Sequence, residues 1–171
     1  MARRPKSPDL FDFVQYKHLV VLSSLDRESA KKMLYRITGN YQNFEKITII
    51  NFVKEKHLTT ETNGKSMMIE AGSKHFSLFG NFQTHFSDVL NEIPCQILIN
   101  TDSSSSIYLH AIAASFNKAL RLGMHDDVAP DLYDVRLYSK KEVDPESYIN
   151  HCKTYLHALC GGHSTSKLST L

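Results

Sequence analysis

Residues 95–124 read CQILINTDSSSSIYLHAIAASFNKALRLGM, and this stretch decides the fold class. A short apolar run, Gln96-Ile97-Leu98-Ile99, is entered through Pro94 and reads as a strand. A polar turn follows, Asn100-Thr101-Asp102-Ser103 with three further serines. The spacing then predicts a helix with Leu109, Ile112, Ala113, Phe116, Ala119 and Leu120 on one face. Gly123 stands where a helix C-terminus favours a residue tolerant of left-handed dihedrals. A buried strand, a tight turn and a covering helix make half of a βαβ unit.

The flanking chain repeats that plan. His18 to Leu22 (HLVVL) is apolar on both faces, as a strand covered by helices on both sides must be. Ser23-Ser24-Leu25-Asp26 turns the chain into a helix carrying Ala30, Met33, Leu34 and Ile37 inward and stopping near Gly39. Lys46 to Val53 is the second strand. Asn63-Gly64 signals a hairpin near 57–70, at an edge, with Met67 to Ile69 returning. His75 to Phe79 reads as a short strand or an irregular loop, and Phe82, Phe86, Val89 and Leu90 recur at helical spacing. Leu132 to Tyr138 reads as a last edge strand. Asp144-Pro145 opens a final helix, with Tyr148, Ile149, Cys152, Tyr155, Leu156 and Leu159 inward and Gly161-Gly162 at its end. The alternation predicts an α/β fold: a three-layer α/β/α sandwich on a mainly parallel, Rossmann-like sheet. We expect an N-terminal arm over 1–16, one domain over 17–161 and a flexible tail over 162–171.

At 171 residues with 42% hydrophobic side chains, the chain can bury one core. A net charge of +2 gives no field that announces nucleic acid. Arg3, Arg4 and Lys6 form a basic arm without interleaved aromatics, read as solubilising. Cys95, Cys152 and Cys160 form no CxxC and leave one thiol unpaired, which suits a reducing compartment. The arm leads into no apolar segment of signal-peptide type, and no long apolar run crosses a membrane. The expected location is cytoplasmic.

The two strand-to-helix turns are the leading candidate site. Ligands of open parallel sheets bind beyond the carboxyl ends of strands, where helix N-termini offer N–H groups to anions. Ser24, Asp26, Thr101, Asp102, Ser103 and Ser104 supply the turns, Arg27 a countercharge, and Arg121 and His125 lie nearby in sequence. The same Ser, Thr and Asp residues also serve as plain helix caps. Thr59 to Ser66 (TTETNGKS) matches a P-loop except for its first glycine, and the absence of a following helix makes it a hairpin instead. His157, Cys160 and His163 fall at three-residue intervals with His151 and Cys152 before them, a spacing matching no standard zinc pattern; a packed thiol is the preferred reading and no metal is assigned. His110, and His125 beside Asp126 and Asp127, are the acid–base candidates, without a nucleophile elbow to serve.

Three pieces carry a resemblance: KITIINFVKEK (46–56), HFSLFGNF (75–82), and the 95–124 stretch followed by DLYDVRLY (131–138). Their order resembles a family of short, uncharacterised bacterial α/β proteins with an F-x-x-F-G segment, a strand ending D-L-L-I-N, and a helix ending in a basic residue before glycine. Here the strand ending in Asn100 lacks the acid. The resemblance spans residues 17–160 and implies the α/β fold. It carries no catalytic residues, because that family has no assigned activity. A fainter similarity is to the N-terminal domain of heptosyltransferases, where a like strand, turn and helix end in Arg-x-Gly. Those enzymes need a second nucleotide-sugar domain, for which this chain has no room.

The expected function is therefore that of a partner-binding module with a protein partner. The alternative is a small-molecule binder or enzyme taking a phosphorylated or anionic ligand at the strand-end turns. Cofactor and catalytic residues stay unassigned, and neither membrane nor nucleic acid is expected as a partner. Exposure of Phe76, Phe79, Phe82 and Phe86 as a patch would favour the first; convergence of the turns on a pocket holding Arg27 would favour the second.

Overall fold

The computed structural model describes residues 15–77, 81–104, 106–124, 129, 131–137 and 143–161. Seven strands form one sheet in the order β3-β4-β2-β1-β5-β6-β7. They are β1 (His18–Ser23), β2 (Lys46–Phe52), β3 (Thr59–Asn63), β4 (Ser66–Ala71), β5 (Ile97–Asn100), β6 (Leu120–Met124) and β7 (Val135–Leu137). All neighbours pair in parallel except β3 with β4. Four helices cover the sheet: α1 (Arg27–Asn40), α2 (Thr84–Asn91), α3 (Ile107–Ser115) and α4 (Pro145–Gly161).

Alternation along the strands divides the core into two layers. Leu19, Val21, Ile47, Ile49, Met68, Ile97, Ile99 and Leu122 pack with α1 and α4 through Ala30, Met33, Ile37, Tyr148, Ile149, Cys152 and Leu156. Val20, Leu22, Ile50, Ile69 and Leu98 pack on the other face with Phe86, Leu90, Leu109, Ile112 and Ala113 of α2 and α3. The result is the expected α/β/α sandwich, with the hairpin at one edge. Gly64 turns that hairpin with φ at +58°, so Thr59 to Ser66 joins two antiparallel strands.

Helix starts follow their caps. Asp26 accepts from the Ser29 N–H at 3.0 Å to open α1. Asp144 accepts from the Ser147 N–H at 3.1 Å to open α4, with Pro145 in the first turn where its missing N–H is harmless.

Several expectations are corrected. The helix over 107–120 ends at Ser115, and Leu120–Met124 is strand β6. Leu120 fits both a helical stripe with Phe116 and a period-2 pattern with Leu122. The open edge of β5 decides, because β6 pairs along it from Leu120 onward. Gly123 is accordingly no helix cap. It lies in β6 beneath the Tyr133 ring, where an added Cβ would come within 2.7 Å of ring carbons. The 75–79 segment follows a 3-10 turn at Ser73–His75, with Phe76 bridging to Phe82. β7 is shorter than the predicted 132–138 strand. Tyr155 faces outward from α4, 42% exposed, rather than inward. Phe76 and Phe86 form no exposed patch; both are buried and meet Phe82 edge-on. The 162–171 tail, most of the N-terminal arm, Ser105, Phe79, His125, Asp126, Asp127, Tyr138, His163 and the side chains of Leu159 and Cys160 lie outside the described residues.

Candidate functional site

β1 and β5 are adjacent, yet α1 leaves β1 on one face of the sheet and α3 leaves β5 on the other. Their connections therefore part at the carboxyl ends of these strands. This is the topological switch point, where open sheets bind ligands.

Both predicted turns meet there. The Thr101 N–H and hydroxyl donate to the Leu22 carbonyl at 2.9 and 2.8 Å. Ser24 donates across the gap to Asp102 Oδ1 at 2.5 Å. The other carboxylate oxygen of Asp102 accepts from the Ser104 hydroxyl at 2.7 Å and the Ser106 N–H at 3.4 Å. Asp102 thus ties the two turns together ahead of α3, whose N-cap is Ser106. Asp26 caps α1 alone, and the Ser29 hydroxyl and N–H hold its carboxyl below the usual carboxylate value. Ser103 and Ser104 are exposed.

Beneath the turn lies a buried polar set. Asn100 accepts from the Asp102 N–H at 3.1 Å and donates to the Tyr133 hydroxyl at 2.6 Å. The Tyr133 ring meets His110 edge-on at 5.9 Å. His110, on α3, is buried beside that tyrosine.

Arg27 points the other way. Its guanidinium is held by the carboxylates of Glu70 and Glu61, and Lys31 pairs with Glu61 at 3.2 Å. Glu70 is fully buried; Oε2 also accepts from Thr59 at 3.3 Å, while Oε1 has no hydrogen-bond partner among the described residues. The countercharge expected for an anion is therefore neutralised by the hairpin and stands apart from the Ser24–Asp102 bridge. Arg121 is removed further. It is buried in β6, opposite Leu98, and its N–H donates to Asp134 Oδ2 at 2.9 Å with Nε 3.9 Å from the same oxygen.

Sequence reasoning missed Asn51, which fixes the first turn. Its side chain accepts from the Ser23 hydroxyl at 2.8 Å and the Leu25 N–H at 3.0 Å, and donates to the Leu25 carbonyl at 2.8 Å. Glu70 follows it in register on β4. The one available signal was a polar residue closing each otherwise apolar strand.

Next along the rim are the loops after β2 and β4. The Lys54 carbonyl accepts from the Ser73 N–H and hydroxyl at 3.1 and 2.8 Å. Gly72 is obligatory, since an added Cβ would lie 2.5 Å from the Lys56 carbonyl oxygen. His75 rivets the pair: Nε2 accepts from the Leu58 N–H at 3.1 Å and Nδ1 lies 2.9 Å from the Gly72 carbonyl. Between these loops and the switch point, Phe52 stacks on Tyr108 at 4.6 Å, with Ile107 beside it 66% exposed.

A shallow hollow of about 260 Å³ lies between α1 and the start of α4, away from the switch point. Arg36 donates across it to Glu146 at 3.0 Å. Among the described residues no cluster of His, Cys, Asp or Glu could hold a metal. Burial pushes the Cys152 thiol up to about 12 and raises Cys95 as well, which favours the protonated thiol over the thiolate nucleophile. No helix among the described residues is long and apolar enough to cross a membrane.

A family model described as a family of unknown function (DUF6913) matches residues 2–159. The chain belongs to that family. Neither the curated proteins nor the solved structures gave a match. For this DUF6913 chain the site geometry is therefore the whole basis of a functional reading.

Proposed function

We propose that this DUF6913 domain binds a partner protein through the carboxyl-terminal rim of its sheet. The observation that supports this reading is Ile107, two-thirds exposed at the start of α3, beside the half-buried Phe52–Tyr108 stack. An exposed apolar residue beside a half-buried aromatic pair, with exposed Ser103 and Ser104 just before it in the chain, is the usual anatomy of an interface. Cytoplasmic location belongs to the same proposal and rests on the free thiols of Cys95 and Cys152. The test is capture from the protein's own cells with immobilised full chain and its Ile107→Asp variant, both checked for an unchanged melting temperature. A partner held by the first and lost by the second is the expected result. Equal capture by both overturns the rim reading.

A second reading is favoured by the convergence of the turns on the switch point. It makes the domain a small-molecule binder, with Ser24, Asp102, Ser103 and Ser104 as the contacts. Asp26 and Asp102 make that crevice acidic and Arg27 is already paired, so a hydroxylated ligand suits it better than a phosphate. A thermal-shift screen of sugars and sugar phosphates tests it: the reading requires a stabilisation that disappears in Ser103→Ala/Ser104→Ala.

A further inference from the structure

We infer that the loops closing β2 and β4 are the charge-reading part of this rim, and that they dock an acidic protein segment. The inference rests on the partner reading and names the partner's chemistry. Lys54 and Lys56 come from one loop and Lys74 from the other, and the close backbone contact at Gly72 brings them onto one lobe. Lys54 and Lys74 are exposed, and the Lys74 ammonium hydrogen-bonds with His57 Nε2 at 3.3 Å, which joins the two loops. Glu55 is the lone acid in the two loops.

Several cations elsewhere have found carboxylates: Lys17 with Glu45, Arg27 and Lys31 with Glu61, Arg36 with Glu146, Arg121 with Asp134. None of the three loop lysines has an ion pair among the described residues. Their backbones are nonetheless pinned, by Ser73 on the Lys54 carbonyl and by His75 on the Leu58 N–H. A rigid base carrying uncompensated ammoniums is preorganised for an anion, because little ordering remains to be done on binding.

The neighbouring surface selects the class of anion. Phe52, two residues before Lys54, stacks on Tyr108 of α3, and the exposed Ile107 immediately precedes Tyr108. The Tyr108 ring is stacked on Phe52 and met edge-on by Phe76 at 4.8 Å, so it is engaged within the protein rather than presented as an open stacking platform for a nucleobase. A segment alternating acidic and apolar side chains matches both features.

The test uses full-length protein and a short fluorescent peptide rich in Glu with a central Leu, read by anisotropy. The expected result is saturable binding that weakens as salt rises to physiological strength. Binding falls about tenfold in Lys54→Glu/Lys56→Glu/Lys74→Glu and for the same peptide with Gln in place of Glu. The Lys54→Gln/Lys56→Gln/Lys74→Gln variant falls in between and guards against a folding defect. Equal binding by the charge-reversed protein, equal binding of the Gln peptide, or tighter binding of a short RNA overturns the proposal. The cell-capture assay separates the two levels. A partner lost with Ile107→Asp but retained by the charge-reversed protein leaves the rim reading standing and removes the acidic segment.

Discussion

Over β1 and β5 the Asp102 carboxylate is enclosed by donors of its own chain, Ser24, Ser104 and the Ser106 N–H, while over β2 and β4 three lysines make no ion pair among the described residues. The two places share one sheet rim and the same strand-end geometry. At the first, each hydroxyl and carboxylate closes a turn, so the polar residues build the crevice walls. At the second, the backbone is fixed through Gly72 and His75 and the charges are left over. Polar residues at a strand end therefore mean recognition only when the chain itself has not used them, which sequence alone does not disclose.

That contrast can be broken residue by residue. Asn51→Leu should act most strongly, since it strands the Ser23 hydroxyl and both Leu25 backbone groups; about 3 kcal/mol should disappear from the unfolding free energy in urea. Gly72→Ala comes next, at about 2 kcal/mol, because the Lys56 and Val53 carbonyls must move apart. It should also weaken acidic-peptide binding, as the lysine lobe loosens. Asp102→Ala removes the bridge between the two turns and should cost about 1 kcal/mol without touching peptide affinity. Charge reversal of the three lysines should leave stability within about 0.5 kcal/mol while lowering peptide binding about tenfold.

The smallest effect is a pH effect. Asp26 and Asp144 both have lowered carboxyl pKa values, through the Ser29 and Ser147 hydroxyls and N–H groups respectively. A lowered folded-state value stabilises the fold above the unfolded pKa, near 4, and that contribution is lost as pH falls through the folded value. The stability gap between the natural protein and Asp26→Asn/Asp144→Asn should be present at neutral pH and close on acidification. A gap independent of pH would show that the caps work without their charge.

How much of this could be read beforehand depended on the range of the deciding interaction. β1, β2 and β5 declare themselves as unbroken apolar runs, the hairpin through Asn63-Gly64, and α4 through Asp144-Pro145, all local signals. Leu120 to Met124 satisfies two periods at once, and only the waiting edge of β5 chooses between them. Ser24 and Asp102 were legible as turn residues because each directly follows an apolar strand. Their mutual bond was not, since it joins loops 78 residues apart. Arg27 looks like a free cation at a helix start until Glu70, 43 residues away, is brought over it. Asn51 carries no motif at all; its role appears only when β2 lies beside β1 in register.

The position of β1 has a consequence for how the chain assembles. Its two neighbours become available at different times: β2 follows after one helix, whereas the Thr101 hydroxyl that seals the other side reaches Leu22 across 79 residues. Until β5 has been synthesised, the emerging half-sheet presents one side of β1 as an unpaired edge, with Leu19, Val20, Val21 and Leu22 apolar above and below it. Such an edge is a template for pairing with any extended chain. The same bond that closes the switch point is therefore the step that ends the nascent chain's exposure to aggregation, and a chain halted before Pro94 keeps its most adhesive strand half covered.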